Sequence, residues 1–245
     1  MFEGHRFKNR AQAGKLLAKQ LGAYAHRPDV VVLALPRGGV PVAFEVAKGL
    51  GAELDILIVR KLGMPHQEEY AIGAVGSGGV RLLQPGVPGL MGVTQEQVEA
   101  ITARELAEIG RRDRLYRGAR APVQVQARTV ILVDDGIATG STMQAAVQLA
   151  RKQGAAVIVV AVPVAPPETL DVIAPQVDQL VCLEAPPFFR SVSQWYREFD
   201  QTSDEEVQDL LAAAWRDQGG RQAEIMTQPM ERTQHGPATD DRHRT

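Results

Sequence analysis

The stretch that most constrains this chain is residues 130–143, V-I-L-V-D-D-G-I-A-T-G-S-T-M. Its aliphatic run shows no polar alternation, the pattern of a parallel strand covered on both faces. Two adjacent carboxylates, Asp134 and Asp135, end the run. A loop of small and hydroxylated residues follows, and then a helix-like segment over 143–153. Open α/β sheets bind ligands at the carboxyl ends of their strands, so the acidic pair is expected at such an edge. Thr139, Gly140, Ser141 and Thr142 bring amides and hydroxyls to the positive end of a helix dipole, an anion site. Carboxylates for sugar hydroxyls beside amides for a phosphate point to a sugar phosphate.

The remaining composition narrows the classes. With 245 residues, 44% hydrophobic and 23% charged, the chain has the length and balance of one soluble globular domain with elaborations. A formal charge of −2 gives no overall attraction to nucleic acid or anionic membranes, so anion binding must be local. The single cysteine, Cys182, excludes an intrachain disulfide framework and any multi-cysteine metal site, and it reads as a small strand residue. Residues 1–10 carry charge without an apolar core, unlike a secretory signal, and no run approaches the ~20 apolar residues of a spanning helix. A cytoplasmic protein with no membrane partner is the expectation.

Along the chain, Asn9 is expected to cap a helix running to about residue 24. Residues 30–35 read as a buried strand ended by Pro36-Arg37-Gly38-Gly39. A helix over 40–50 follows, and then a second parallel strand over 54–59 that ends in Arg60-Lys61. Strand, glycine loop, helix and strand form a βαβ unit. From residue 62 to 126 the pattern changes: short strands over 70–75 and 80–83 form an expected hairpin, and Thr94 with Gln97 opens a long polar helix to about residue 116. Parallel strands resume at 129–133, 156–162 and 179–183. An aromatic segment over 188–199 precedes a last helix opened by Ser203 and Glu206. From Gly219 onward the chain is polar and aperiodic, as in a disordered tail.

Several catalytic signatures are absent. Without a G-x-x-x-x-G-K-[ST] loop the Val-Asp-Asp strand is not part of a P-loop ATPase, and no G-x-S-x-G or H-E-x-x-H occurs. The glycines over 73–79 lack G-x-G-x-x-G spacing and do not open a helix.

What remains resembles a known family. Residues 130–143 look like the PRPP-binding motif of type I phosphoribosyltransferases (PRPP is 5-phosphoribosyl 1-pyrophosphate), with Asp134, Asp135, Thr139, Gly140 and Thr142 matching. Leu35-Pro36-Arg37-Gly38-Gly39 resembles the pyrophosphate loop of the xanthine-guanine branch, which often holds a non-proline cis peptide; here it falls at Pro36–Arg37. Residues 58–65, I-V-R-K-L-G-M-P, are similar to a run of adenine-type enzymes whose arginine and lysine reach the pyrophosphate. The insertion and C-terminal segment are instead similar to uncharacterised phosphoribosyltransferase-like proteins sharing P-R-G-G-V-P-V-A, V-R-K-L-G and V-D-D-G-x-A-T-G.

The resemblance implies an α/β fold: an open parallel sheet with helices on both faces, an inserted hairpin/helix subdomain and a C-terminal hood. It implies one domain over 1–218 (core 29–61 and 129–185, insertion 62–126, helical hood 186–218) and a tail over 219–245. The implied activity, in nucleotide metabolism, transfers 5-phosphoribosyl to a nitrogen base or related acceptor, with Mg²⁺ carried on substrate oxygens rather than by the protein. Asp134 and Asp135 are then the catalytic residues. With Gly136, Ala138, Thr139, Gly140, Ser141 and Thr142 they hold the ribose 5-phosphate, while Pro36, Arg37, Gly38, Gly39, Arg60 and Lys61 hold the pyrophosphate. Arg117, from the arginine-rich stretch 110–120, is a candidate for a mobile lid, and Phe188 and Phe189 for a base-facing wall. A homodimer is expected and nucleic acid is not an expected partner. A PRPP-sensing regulator without turnover, or a fold that has lost activity, are the alternatives.

Overall fold

The structure, a computed structural model, describes residues 6–89 and 92–227. Its centre is a five-stranded, all-parallel sheet in the order β2-β1-β6-β7-β8. The strands are β1 (Val30–Ala34), β2 (Glu53–Ile56), β6 (Thr129–Val133), β7 (Val157–Val164) and β8 (Gln179–Glu184). Every residue of β1 and of β6 is buried, as their unbroken aliphatic runs require.

Alternate residues of these strands feed two separate cores. Val30, Val32, Ala34, Ile131 and Val133 point to one face, covered by α1 (Arg10–Gln20), α2 (Gly39–Leu50) and α6 (Asp204–Thr227). Val31, Leu33, Val130 and Leu132 point to the other, covered by α4 (Ser141–Lys152) with Ile173 of α5 (Pro167–Ile173). Helices therefore cover both faces, as expected.

The second expected parallel strand is corrected. Parallel pairing stops at Ile56, and the chain enters a separate antiparallel sheet of β3 (Val59–Met64), β4 (Gln67–Gly76) and β5 (Arg81–Leu83). Arg60 and Lys61 thus belong to β3, paired with Val75 and Ala74. The local signal missed this because residues 56–59, I-L-I-V, run unbroken from the end of β2 into the start of β3, and only the choice of partner separates the strands. The expected hairpin is β4–β5. The long polar helix is α3 (Gln95–Arg117), opened by the full Thr94/Gln97 capping box.

α6 begins where Ser203 Oγ accepts from the Glu206 amide at 3.0 Å. It runs to Thr227, past the expected end at Gly219; the rest of the expected tail, 228–245, lies outside the described residues. Among the described residues no helix is long and apolar enough to cross a membrane.

Candidate active site

Strand order sets the site. β1 lies between β2 and β6, so the connections leaving β1 and β6 diverge at their carboxyl ends and open a crevice there. The loop after β1 is residues 36–39, and the loop after β6 carries Asp134 and Asp135. The two expected anion-binding loops therefore meet at this switch point, joined by the Leu35 amide donating to the Val133 carbonyl at 2.9 Å.

Their contact explains the glycines. Gly38 has ordinary right-handed helical dihedrals (φ −57°, ψ −31°), so it is not there for a turn. A Cβ at Gly38 would lie 2.1 Å from Asp135 Oδ2, and one at Gly39 would lie 2.7 Å from the Val133 carbonyl oxygen. Gly38→Ala is expected to destabilise the fold by about 1–3 kcal/mol, the usual cost of overpacking. Gly22→Ala, where a Cβ meets nothing within 4 Å, serves as the control. Equal melting temperatures for the two variants would show that the loops do not abut. The expected cis peptide at Pro36–Arg37 is present. Arg37 Nη1 lies 3.6 Å from Asp204 Oδ1, at the start of α6.

The acidic pair is shaped by burial. Asp134 Oδ1 accepts from the Asp135 amide at 2.8 Å. Burial first, and then the adjacent Asp135 charge, push the Asp134 carboxyl well above its ordinary range. Burial also raises Asp135, opposed by the guanidinium of Arg10, whose Nε donates to Asp135 Oδ2 at 2.8 Å. Tyr196 donates its hydroxyl to the Asp135 carbonyl at 2.5 Å.

The loop beyond is held from three sides. The Ile137 amide donates to the Val164 carbonyl at 2.9 Å, and the Thr169 hydroxyl donates to the Ala138 carbonyl at 2.7 Å. A Cβ on Gly136 would lie 2.6 Å from Val192 Cγ1 of the C-terminal segment. Gly140 is left-handed (φ +76°), which turns the chain directly into α4. Among the described residues no side chain caps α4, so the amides of its first turn are left without a capping partner. Ala138, Thr139 and Thr142 are exposed beside them, and the Thr139 and Ser141 hydroxyls are 3.3 Å apart.

The other expected residues divide. Arg60, Lys61 and Thr142 line one cleft of roughly 680 Å³ with Arg104, Glu105 and Glu108. Lys61 also lines a neighbouring pocket with Ser141. β3 therefore brings these cations to the start of α4. Arg60 Nε pairs there with Glu105 Oε2 at 2.8 Å.

Arg117 is corrected. It is 6% exposed, pairs through Nε with Asp55 Oδ1 at 2.9 Å, donates to the Ile56 carbonyl and also pairs with Asp113. It fastens the end of α3 to the end of β2 and is no lid residue. A run of arginines on one helix gave no means of telling the buried one from its neighbours Arg111 and Arg112, which pair with Glu108.

Of the aromatic segment, Phe188 is 77% exposed, while Phe189 packs against the cluster of Phe7, Ala13, Val164 and Tyr196. The ring that reaches the acidic loop is Tyr196. Sequence reasoning missed Arg10 and Thr169, and it placed Tyr196 only with the base-facing aromatics and not on the acidic loop, because each meets the site through contacts 31 to 125 residues apart in the chain.

A parallel sheet with two facing loops at its switch point, one glycine-rich and cationic, the other acidic and leading into a helix start without a side-chain cap, defines an open α/β domain with a candidate ligand crevice at its carboxyl edge. The chain belongs to the phosphoribosyl transferase domain family, which matches residues 5–197. It is 46% identical over 211 residues to Mycobacterium tuberculosis Rv0571c (strain H37Rv) and MT0597 (strain CDC 1551), both named provisionally as phosphoribosyl transferases. That match covers 86% of this chain and 47% of theirs, so the chain spans about half the length of these curated relatives. The crystal structure of TT1426 from Thermus thermophilus is similar at 41% identity and a TM-score of 0.77, covering 85% of this chain and 98% of that one.

Proposed function

We propose that the chain transfers a 5-phosphoribosyl group from PRPP to a nitrogen-base or related acceptor and releases pyrophosphate. The observation that carries this reading is the abutment of the two loops, with Gly38 tight against Asp135. A ligand in that crevice meets carboxylates and both anion-binding elements at once, and PRPP presents one ribose between two phosphate groups.

In this reading Asp134 and Asp135 accept from the ribose 2′- and 3′-hydroxyls. The amides and hydroxyls of Thr139, Gly140, Ser141 and Thr142, with Gly136 and Ala138 shaping the loop, take the 5-phosphate. Lys61 lines one pocket with Ser141 and another with Thr142, which supports counting it with that group. Arg37 with the backbone of residues 36–39 holds the pyrophosphate. The C1–O bond breaks, its electron pair leaves with pyrophosphate, and the acceptor's lone pair forms the new bond to C1. The carboxylates stabilise the positive charge that develops at C1 in between.

The groups placed for the phosphates are N–H, hydroxyl and guanidinium donors rather than a carboxylate cage. That donor set fits Mg²⁺ arriving on the diphosphate oxygens, where it offsets the charge of the leaving group.

The test is incubation with PRPP and Mg²⁺ against a panel of bases and amines, following pyrophosphate. Acceptor-dependent release is expected. Release without any acceptor identifies a hydrolase, binding without release a PRPP sensor, and no binding at all overturns the reading.

A further inference from the structure

α1 begins with a cation. Arg10 follows the Asn9 cap, and the first turn carries no acidic residue. A positive side chain there opposes the helix dipole, so local helix stability does not account for it. Its contacts do. Arg10 Nε donates to Asp135 Oδ2 at 2.8 Å and Nη1 to the Asp200 carbonyl at 2.7 Å, while the guanidinium lies 3.8 Å over the Phe199 ring. The Arg10 and Asp135 side chains are only 12% and 14% exposed.

The surrounding frame fixes this arginine. The Phe7 amide donates to the Trp195 carbonyl, the Arg197 amide to the Phe7 carbonyl and the Glu198 amide to the Lys8 carbonyl. Asn9 Nδ2 adds a bond to Glu198 Oε2 at 3.1 Å. These bonds zip the segment before α1 to the C-terminal segment, and Tyr196 from that segment reaches the Asp135 carbonyl. Arg10 sits at the join, facing the acidic pair.

We propose that Arg10 is a positioning residue for the acidic pair: it neutralises Asp135 through Oδ2 and leaves Oδ1, together with Asp134, for the sugar. Two adjacent, largely buried carboxylates cannot both ionise cheaply. A guanidinium fixed on one of them lets the pair carry the net negative charge that a developing cation needs. The groups facing Asp135 are Arg10 from α1, Asp134 from its own loop, the Tyr196 hydroxyl and the uncharged backbone of Gly38. The role toward the sugar rests on the phosphoribosyl reading; the charge pairing does not.

The experiment compares Arg10→Gln and Arg10→Lys with the parent full-length chain in two measurements. Carboxyl-detected NMR titration, without ligand, follows Asp135 directly. Calorimetry measures affinity for Mg²⁺-PRPP between pH 5.5 and 8.5. Arg10→Gln is expected to raise the Asp135 midpoint by roughly one to three pH units. It should also weaken PRPP binding on the order of tenfold at the acid end, with recovery as pH rises. Arg10→Lys keeps the charge and should stay near the parent in both. An unmoved Asp135 midpoint in Arg10→Gln, or an affinity loss equal at every pH, would overturn the proposal and leave Arg10 a staple for the C-terminal segment. If Arg10→Gln does not fold, Arg10→Lys decides: a parental midpoint with parental affinity supports the charge role, and a shifted midpoint or lost affinity rejects it. A parent chain that fails to bind PRPP removes the functional reading, while the NMR titration still decides the pairing.

Discussion

Asp134→Asn is expected to move stability and function in opposite directions. The Asp134 carboxyl is raised by burial and by the Asp135 charge, so between its unfolded and folded pKa values the native state holds more protons than the unfolded chain. Stability therefore falls as pH rises through that window, and at neutral pH the ionised group opposes folding. Asparagine keeps the Oδ1 acceptor for the Asp135 amide and has no proton to lose. Below the unfolded carboxylate pKa the variant and parent should be equally stable; above the window the variant should be the more stable. Binding of PRPP should weaken on the order of a hundredfold, the upper weight of a hydrogen bond to a charged group. Urea unfolding at pH 3.5 and pH 8, with calorimetric titration of PRPP, checks both halves. A variant less stable than the parent at pH 8, or one that binds PRPP as the parent does, would sink the assignment.

The largest loss of stability is expected at Arg117. Its side chain and that of Asp55 are each 3% exposed, and removing one partner leaves a buried charge uncompensated. Arg117→Met should cost about 3–5 kcal/mol in urea unfolding. By contrast, Arg112→Met breaks a half-buried i,i+4 pair with Glu108 at the helix surface and should cost no more than about 0.5 kcal/mol. Asp55 also accepts from the Val123 amide, so the damage should extend to the connection between α3 and β6. If Arg117 belonged to a lid, Arg117→Met would unfold like the parent and lose only turnover.

Much of the fold was open to direct reading. β1, β6 and the helices after them were placed within a few residues, because a strand buried on both faces must be aliphatic throughout. The capped starts of α1, α3 and α6 were legible because a cap is satisfied within three or four residues. The break between β2 and β3 was not, since the same apolar residues suit a parallel or an antiparallel partner. The acidic pair, the small-residue loop and the P-R-G-G loop were all visible as separate pieces.

The sequence by itself determined that this chain builds a parallel sheet with two anion-ready loops and an acidic pair, because those demands are met by neighbours in the chain. Only the tertiary structure decided how the pieces act on one another. It set Gly38 against Asp135, turned Arg117 inward onto Asp55, carried Arg60 and Lys61 onto a second sheet beside α4, and brought Arg10 across to Asp135. The physical reason is that charge pairing and close packing act through space. Arg10 and Arg117 look alike in the chain, and their burial and partners are fixed only when distant strands and helices close around them.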